Sequence, residues 1–406
     1  MKPIESSDKL KLIQSDIRGP VYEKAMEMTR AGIDVLRLNT GNPATFGFTM
    51  PDSVRNALLS GVDKAVAYCD AKGMPEAREA LCAYHRARGM QGITPDDIFI
   101  GNGVSEVATM LIESILSRGD ELLMPMPSYS LWSNACHLAG GKPVFYVCDE
   151  ASDWYPDVAD MEKKVTDRTR AVLLINPNNP TGQVYPPELV EQVVDFARRH
   201  DLLLISDEIY DRLIMDDMPF LSTAAVAPDV PCVTLNGLSK SHLVCGFRCG
   251  WAVVSGPREL TGELLECMGK LAALRLCGNA LAQLVIPAAM EDDKSTRAML
   301  TPGGRIYEQR EAACRALDVL EADGLLTYRR PHAAFYVFPK LSDRIALKDD
   351  RQFAVDLLEE KHILLVPGSG FDWPKPDHFR LVLLPEAQRM YDAIMQVGDF
   401  LKNYKQ

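Results

Sequence analysis

Between residues 97 and 254 the chain breaks repeatedly into short, almost wholly apolar runs, a pattern that leaves few folds open to it. Arg170–Ile175 reads RAVLLI and runs straight into NPNNPTG, and Leu202–Ser206 reads LLLIS before DEIY. Between these two lies Pro187–His200, where Leu189, Val193 and Phe196 recur at helical spacing. A strand that is apolar at successive positions is buried on both faces, which is the habit of parallel sheets covered by helices. Asp97–Gly101, Glu121–Met124 (stopped by Pro125 and Pro127), Val144–Val147, Cys232–Leu235 and Trp251–Val254 read as further strands, and Glu106–Leu116 as a helix. After about Met290 the pattern changes. Arg305–Ala322 reads as a long helix, and Ala334–Phe338, Ile363–Val366 and Phe379–Leu383 as strands of a smaller unit. The expectation is an α/β protein with a large domain over 46–295, built on a mainly parallel sheet between helices. A small α+β domain is expected from both chain ends, 1–45 and 296–406.

Composition narrows the function classes. Of 406 residues 47% are hydrophobic and 25% charged, close to the soluble average. The longest apolar runs, such as Leu202–Ile205 and Leu381–Leu384, fall far short of the roughly 20 residues of a membrane helix. The start, MKPIESSDKLKLIQ, has no apolar stretch of signal-peptide type, so a cytoplasmic protein is expected. With 44 basic against 56 acidic residues the net charge is -12, and no Lys/Arg run exceeds two, which argues against a nucleic-acid partner. Ten scattered cysteines with no C-x-x-C, and no H-E-x-x-H, read as reduced thiols and no metal site.

In sheets of this kind ligands bind beyond the carboxyl ends of the strands, and five unusual segments fall there. Gly101–Glu106 (GNGVSE) joins a strand to a helix; its small residues and free helix N–H groups suit a phosphate, or simply a well-capped turn. A dinucleotide fingerprint would need a small residue where Glu106 stands. Asn176–Gly182 (NPNNPTG) is a rigid turn that fixes the amides of Asn178 and Asn179. Asp207, at the end of LLLIS, would hold a protonated ring nitrogen or cap a helix. Lys240, in Ser239-Lys240-Ser241, is placed for a Schiff base, and Arg248, between two glycines, for a phosphate; an ordinary surface ion pair is the alternative for each. His242 reads as incidental. Arg380 interrupts an apolar strand and needs a partner, either a structural acid or a ligand carboxylate.

Taken in order, the GNGVSE turn, N-P-x-N-P-T-G, D-E-I-Y, S-K-x(6)-G-x-R-x-G-W and the late F-R resemble the class I/II, fold-type I aminotransferases, which use pyridoxal 5'-phosphate (PLP). The resemblance spans nearly the whole chain and is nearest to the bacterial glutamate–pyruvate (alanine) group. DIRGPV, NTGNPATFGF, AYCDAKG, CDEASDWYPD, RLCGNALAQ and TPGGRIYEQR carry that closer likeness.

The resemblance implies that Lys240 carries PLP and that Asp207 pairs with its ring nitrogen. Tyr210 and Asn179 would hydrogen-bond the ring oxygen, and Tyr129 would stack on the ring. Val104, Ser105, Ser239 and Arg248 would bind the phosphate. Tyr68 would reach the cofactor phosphate of a second copy, implying a homodimer with shared sites. Arg380, Asn179 and the Gly41 backbone would hold the substrate α-carboxylate, with Arg18, and less so Arg275, as the cation for a side-chain carboxylate. It also implies ping-pong transfer of an amino group, through pyridoxamine phosphate, from alanine or glutamate to a 2-oxo acid such as pyruvate or 2-oxoglutarate. Ser15, Ser241, His242, Leu243, Cys245 and Cys249 depart from the alanine-enzyme pattern. They leave open other amino acids (aromatic, branched or sulfur-containing) and a PLP-dependent C–S lyase of the same fold.

Overall fold

The computed structural model describes residues 3–13, 19–345 and 347–406. At its centre is an eight-stranded sheet: β1 (Ile98–Asn102), β2 (Glu121–Met126), β3 (Lys142–Asp149), β4 (Tyr155–Pro156), β5 (Thr169–Ile175), β6 (Leu203–Asp207), β7 (Cys232–Gly237) and β8 (Cys249–Ser255). The spatial order is β1-β8-β7-β6-β5-β2-β3-β4. Strands β3, β2, β5, β6 and β7 run parallel; β8 is antiparallel to both β7 and β1, and β4 is antiparallel to β3. The chain order reverses between β5 and β2, so the loops leaving these two strands open a crevice at a topological switch point.

Both faces of the sheet are buried, which explains the unbroken apolar runs. On β5, Ala171, Leu173 and Ile175 join the core of Phe99, Trp132 and Leu235. The intervening Val172 and Leu174 join the core of Val193 and Phe196 on the other side. Successive strand side chains point to opposite faces, and here each face meets helices. The helix Pro187–Arg199 starts on Pro187, where a missing N–H does no harm, and buries Val190, Val193, Val194, Phe196 and Ala197.

The chain ends make a third core. Val21, Leu38, Ile306, Leu317, Phe353, Leu381 and Val397 belong to it, and so do Tyr210 and Leu213 from the loop after β6. Phe379–Val382 pairs antiparallel with Tyr336–Val337 and with Val366–Pro367, while Leu36–Arg37 pairs parallel with Ile363–Leu364. Helix Arg305–Ala322 packs on helix Ala387–Leu401. Among the described residues no helix is long and apolar enough to cross a membrane.

The expected fold class holds, with local corrections. Strand β2 is not stopped by Pro125 but runs on to Met126; its pairing with β5 ends at Leu123, and Pro125 pairs only with β3, where a missing donor is tolerated. The helix expected at Glu106 begins at Val104, because Gly103 at φ 86 turns the chain directly out of β1. Ala334–Phe338 shrinks to the two-residue strand Tyr336–Val337, since Ala334 is left-handed at φ 59. Ile363–Val366 divides at Leu365 into two short strands with different partners.

Candidate active site

The carboxyl ends of β5, β6 and β7, with loops from the chain ends, enclose a pocket of about 160 Å³. Thr40, Gly41, Val104, Ser105, Tyr129, Asn179, Asp207, Tyr210, Ser239, Lys240, Cys245, Arg248, Tyr336 and Arg380 all line it. Residues scattered over 340 positions of sequence therefore meet in one place.

At the floor, Asp207 is the last residue of β6 and only 4% exposed. Trp132 Nε1 donates to its Oδ2 at 3.1 Å and the Ile209 N–H to its Oδ1 at 3.3 Å. No described cation is ion-paired to it, and burial pushes its pKa up to about 6 against the two donors. A buried carboxylate in this condition is a receptor for a positive charge. Its neighbour Glu208 faces away: it accepts from Ser206 Oγ, Ser222 Oγ and the Thr223 N–H, at 2.9 to 3.0 Å. The two carboxylates of DEIY thus serve different purposes, one in the pocket and one in the scaffold.

Lys240 projects from the short helix Leu238–Ser241 after β7, and its Nζ donates to the Gly41 carbonyl at 2.9 Å. Among the described residues no carboxylate is ion-paired with it. The next residues are structural: Ser241 Oγ and His242 Nδ1 are 2.8 Å apart, and His242 Nε2 lies 2.8 Å from the Ala289 carbonyl oxygen. Burial pulls the His242 pKa down to about 4, so the histidine is a neutral core residue outside the pocket lining.

At one end of the pocket lies an anion cradle. The first amides of the helix Val104–Ile115 have no intrahelical acceptor and meet Ser239 and Arg248 around the same space. Among the described residues Arg248 donates to the Cys245 carbonyl alone, at 3.0 Å. Gly103 is obligatory here: a Cβ would fall 2.3 Å from Arg248 Nη2, at a positive φ. Glu106, which spoiled a dinucleotide fingerprint, instead reaches back to the Asn102 N–H at 2.7 Å and holds the turn.

The other end is built around Arg380, on the strand Phe379–Val382. It is 2% exposed. Nη1 donates to Asn179 Oδ1 at 3.0 Å, Nη2 donates to the Asn39 carbonyl, and Nε has no partner. Its guanidinium lies between the rings of Tyr336 and Phe371, 4.4 and 4.6 Å from their centroids. Burial lowers its pKa. Among the described residues Arg380 and Arg248 donate to carbonyl and amide oxygens and to no carboxylate, an arrangement that suits a ligand anion.

In the turn Asn176–Gly182, Asn178 Oδ1 accepts from Thr181 Oγ1 at 2.9 Å, which keeps that side chain inside the turn. Only Asn179 of the two asparagines enters the pocket. Arg275 does not line it: its Nη1 is ion-paired with Glu106 Oε2 at 2.5 Å and its Nη2 donates to the Ile100 carbonyl. Tyr68 is 80% exposed, away from this chain's own pocket. Arg18 and Ser15 lie outside the described residues. Sequence reasoning missed Trp132 and Tyr336; both are ordinary core residue types, and nothing in their local sequence sets them apart.

A half-buried lysine and a buried aspartate lie between two arginines that have no carboxylate partner among the described residues, at the switch point of a mainly parallel sheet, and the pocket suits a ligand with an anionic group. Residues 33–393 match the family aminotransferase class I and II. The glutamate-pyruvate aminotransferase AlaA of Escherichia coli (strain K12) is 44% identical over 407 residues, covering all of both chains. The alanine aminotransferase of Mycobacterium tuberculosis (strain H37Rv) is 43% identical, covering 98% of this chain and 93% of its own. The crystal structure of an aminotransferase from Escherichia coli superposes with a TM-score of 0.97 at 43% identity, over 100% of both chains. This protein belongs to the class I and II aminotransferases. It is an aminotransferase of the fold-type I architecture, and the C–S lyase alternative finds no support in these likenesses.

Proposed function

We propose that the protein moves an amino group between L-alanine and L-glutamate on one side and the 2-oxo acids pyruvate and 2-oxoglutarate on the other, using PLP bound at Lys240. The observation that carries this reading is the line Arg248–Lys240–Asp207. It sets an anion cradle, an amine without an acidic partner and an uncompensated buried carboxylate in one pocket. The donor set fits PLP, which is an anion at one end and takes a proton on its ring nitrogen at the other. The printed names of the relatives, glutamate-pyruvate and alanine aminotransferase, support the substrate pair.

When bound, PLP supplies a ring that takes up the electron pair released as a Cα–H bond breaks. The chain's own residues do the rest. Val104, Ser105, Ser239 and Arg248 would hold the phosphate. Asp207 would keep a proton on the ring nitrogen, a charge that would favour the ionised form of Asp207. Tyr129 would stack on the ring, and Tyr210 and Asn179 would hydrogen-bond the ring oxygen. Arg380, with Asn179 and the backbone at Gly41, holds the α-carboxylate, so that Cα is presented to Lys240. Lys240 Nζ takes the Cα proton as a general base and returns a proton as a general acid. The amino group stays on the enzyme between two half-reactions, so the kinetics are ping-pong.

We further infer a homodimer. Leu59, Val62, Val66 and Tyr68 are exposed, and so are Leu274, Leu276 and Leu281; the two segments approach each other where Arg275 donates to the Ala71 carbonyl. Exposed apolar side chains of this number suit a second copy of this chain, which would bring Tyr68 to the neighbouring cofactor phosphate. Arg18 is assigned from sequence to the distal carboxylate of glutamate. The division into 46–295 and the two chain ends, and a cytoplasmic location, belong to the same reading.

The test is the absorption spectrum of the purified holoenzyme. L-alanine and, separately, L-glutamate should each bleach the yellow absorbance of bound PLP, and pyruvate should restore it. Bound PLP that ignores both amino acids would refute the substrate pair, and full turnover by Lys240→Ala would refute the role of Lys240.

A further inference from the structure

Tyr336 stands at a junction in the pocket. Its hydroxyl lies 2.9 Å from the Tyr210 hydroxyl, which donates to it. Its ring face meets the Arg380 guanidinium. Its hydroxyl also rests on Gly41, where a Cβ would come within 2.3 Å of it; the Gly41 carbonyl in turn accepts from Lys240. Both tyrosines are 2% exposed, and their rings meet edge to face, 5.7 Å apart at 85°. They come from different parts of the fold. Tyr210 leaves the large sheet after β6, while Tyr336 pairs with Val382 on the strand that carries Arg380.

Packing alone does not call for the second hydroxyl, because phenylalanine fills nearly the same volume. A buried hydroxyl is favourable only with a partner, and the partner of this one is the Tyr210 hydroxyl. A hydroxyl both donates and accepts. When a stronger acceptor draws the Tyr210 proton into the pocket, the Tyr336 proton can turn to the Tyr210 oxygen, and a polarised pair of this kind strengthens the outer bond.

We propose that Tyr336 is a positioning residue for Tyr210: its hydroxyl fixes the Tyr210 hydroxyl and directs the Tyr210 proton toward the phenolic oxygen of the cofactor. The proposal rests on the PLP reading of the pocket. Without Tyr336 the phenolic oxygen receives a weaker donor and keeps more negative charge. The nearby lysine nitrogen bound to the cofactor then holds its proton more tightly.

The experiment titrates the yellow absorbance of the holoenzyme with pH, in the absence of substrate, for wild type, Tyr336→Phe, Tyr210→Phe and the double variant. Tyr336→Phe should move the midpoint upward by about half to one unit, a three- to tenfold change in proton affinity, smaller than a direct hydrogen bond to a charged group provides. Tyr210→Phe should move it further, and the double variant should match Tyr210→Phe, because the two hydroxyls act as one unit. With alanine, kcat of Tyr336→Phe should fall three- to tenfold while KM stays within twofold. An unmoved midpoint in Tyr336→Phe overturns the proposal. So do shifts that add in the double variant, or a raised KM at unchanged kcat, which would assign Tyr336 to Arg380 instead. A wild type that binds no PLP would overturn the reading of the pocket and this proposal with it; a wild type that titrates while Tyr336→Phe does not shift would overturn this proposal alone.

Discussion

Replacing Asp207 with asparagine should have opposite effects on the protein with and without its cofactor. In the cofactor-free fold the carboxyl is buried, its pKa stands near 6, and its ordinary value is 3.8. Its folded value is raised, so the native state holds a proton that the unfolded state has released between these limits. Stability therefore falls as pH rises from about 4 to about 6, and the full penalty is present above that. A difference of about two units corresponds to at most ~3 kcal/mol. Asparagine keeps an oxygen for Trp132 and Ile209 but carries no charge. The cofactor-free Asp207→Asn protein should thus come nearest to wild type below about pH 3.5 and exceed it by about 1–3 kcal/mol at pH 7.5.

Urea unfolding of both cofactor-free proteins, at equal concentration and at several pH values, measures this gap. Glu208, pushed up to about 7 by burial, is common to both proteins and cancels in the difference. With PLP bound the sign reverses, because the carboxylate now faces a protonated ring nitrogen; the variant should bind PLP more weakly and turn over at least about 100-fold more slowly. A cofactor-free variant less stable than wild type at pH 7.5, or a gap that does not change with pH, would refute the account of Asp207 as an uncompensated charge.

Other perturbations test the neighbouring contacts. Arg380→Ala should lower kcat/KM for alanine by about 100-fold or more, the loss of a buried charge partner of ~3 kcal/mol, in steady-state assays where PLP content is unchanged. Trp132→Phe removes the indole donor to Asp207; the dissociation constant for PLP, measured by fluorescence or dialysis, should rise about tenfold. Gly41→Ala sets a methyl 2.3 Å from Tyr336 Oη; thermal unfolding should register a loss of about 1–3 kcal/mol, and the pocket should lose activity with it.

The parts of the site legible in the sequence are those whose residue type is out of place in its surroundings. Asp207 ends an apolar strand, Arg380 interrupts one, Lys240 follows a strand among small residues, and Arg248 stands between two glycines at the start of another; a charge in an apolar strand is costly unless it meets something. The fold was legible for a related reason, since strands buried on both faces must be apolar throughout. Residue type alone could not rank the arginines. Arg275 and Arg380 differ in that the fold brings Glu106 to one and, among the described residues, the Asn179 amide and the Asn39 carbonyl to the other. Nor could it separate Asn178 from Asn179, where a single hydrogen bond to Thr181 decides which side chain stays in the turn. Trp132 and Tyr336 were invisible because an aromatic residue in an apolar stretch is what any core would place there. Their roles come from one polar atom each, Nε1 and Oη, meeting a partner 75 and 126 residues away. In this site the charged groups announce themselves locally, and the neutral groups that tune them are fixed only by the packing of the large sheet against the strands of the chain ends.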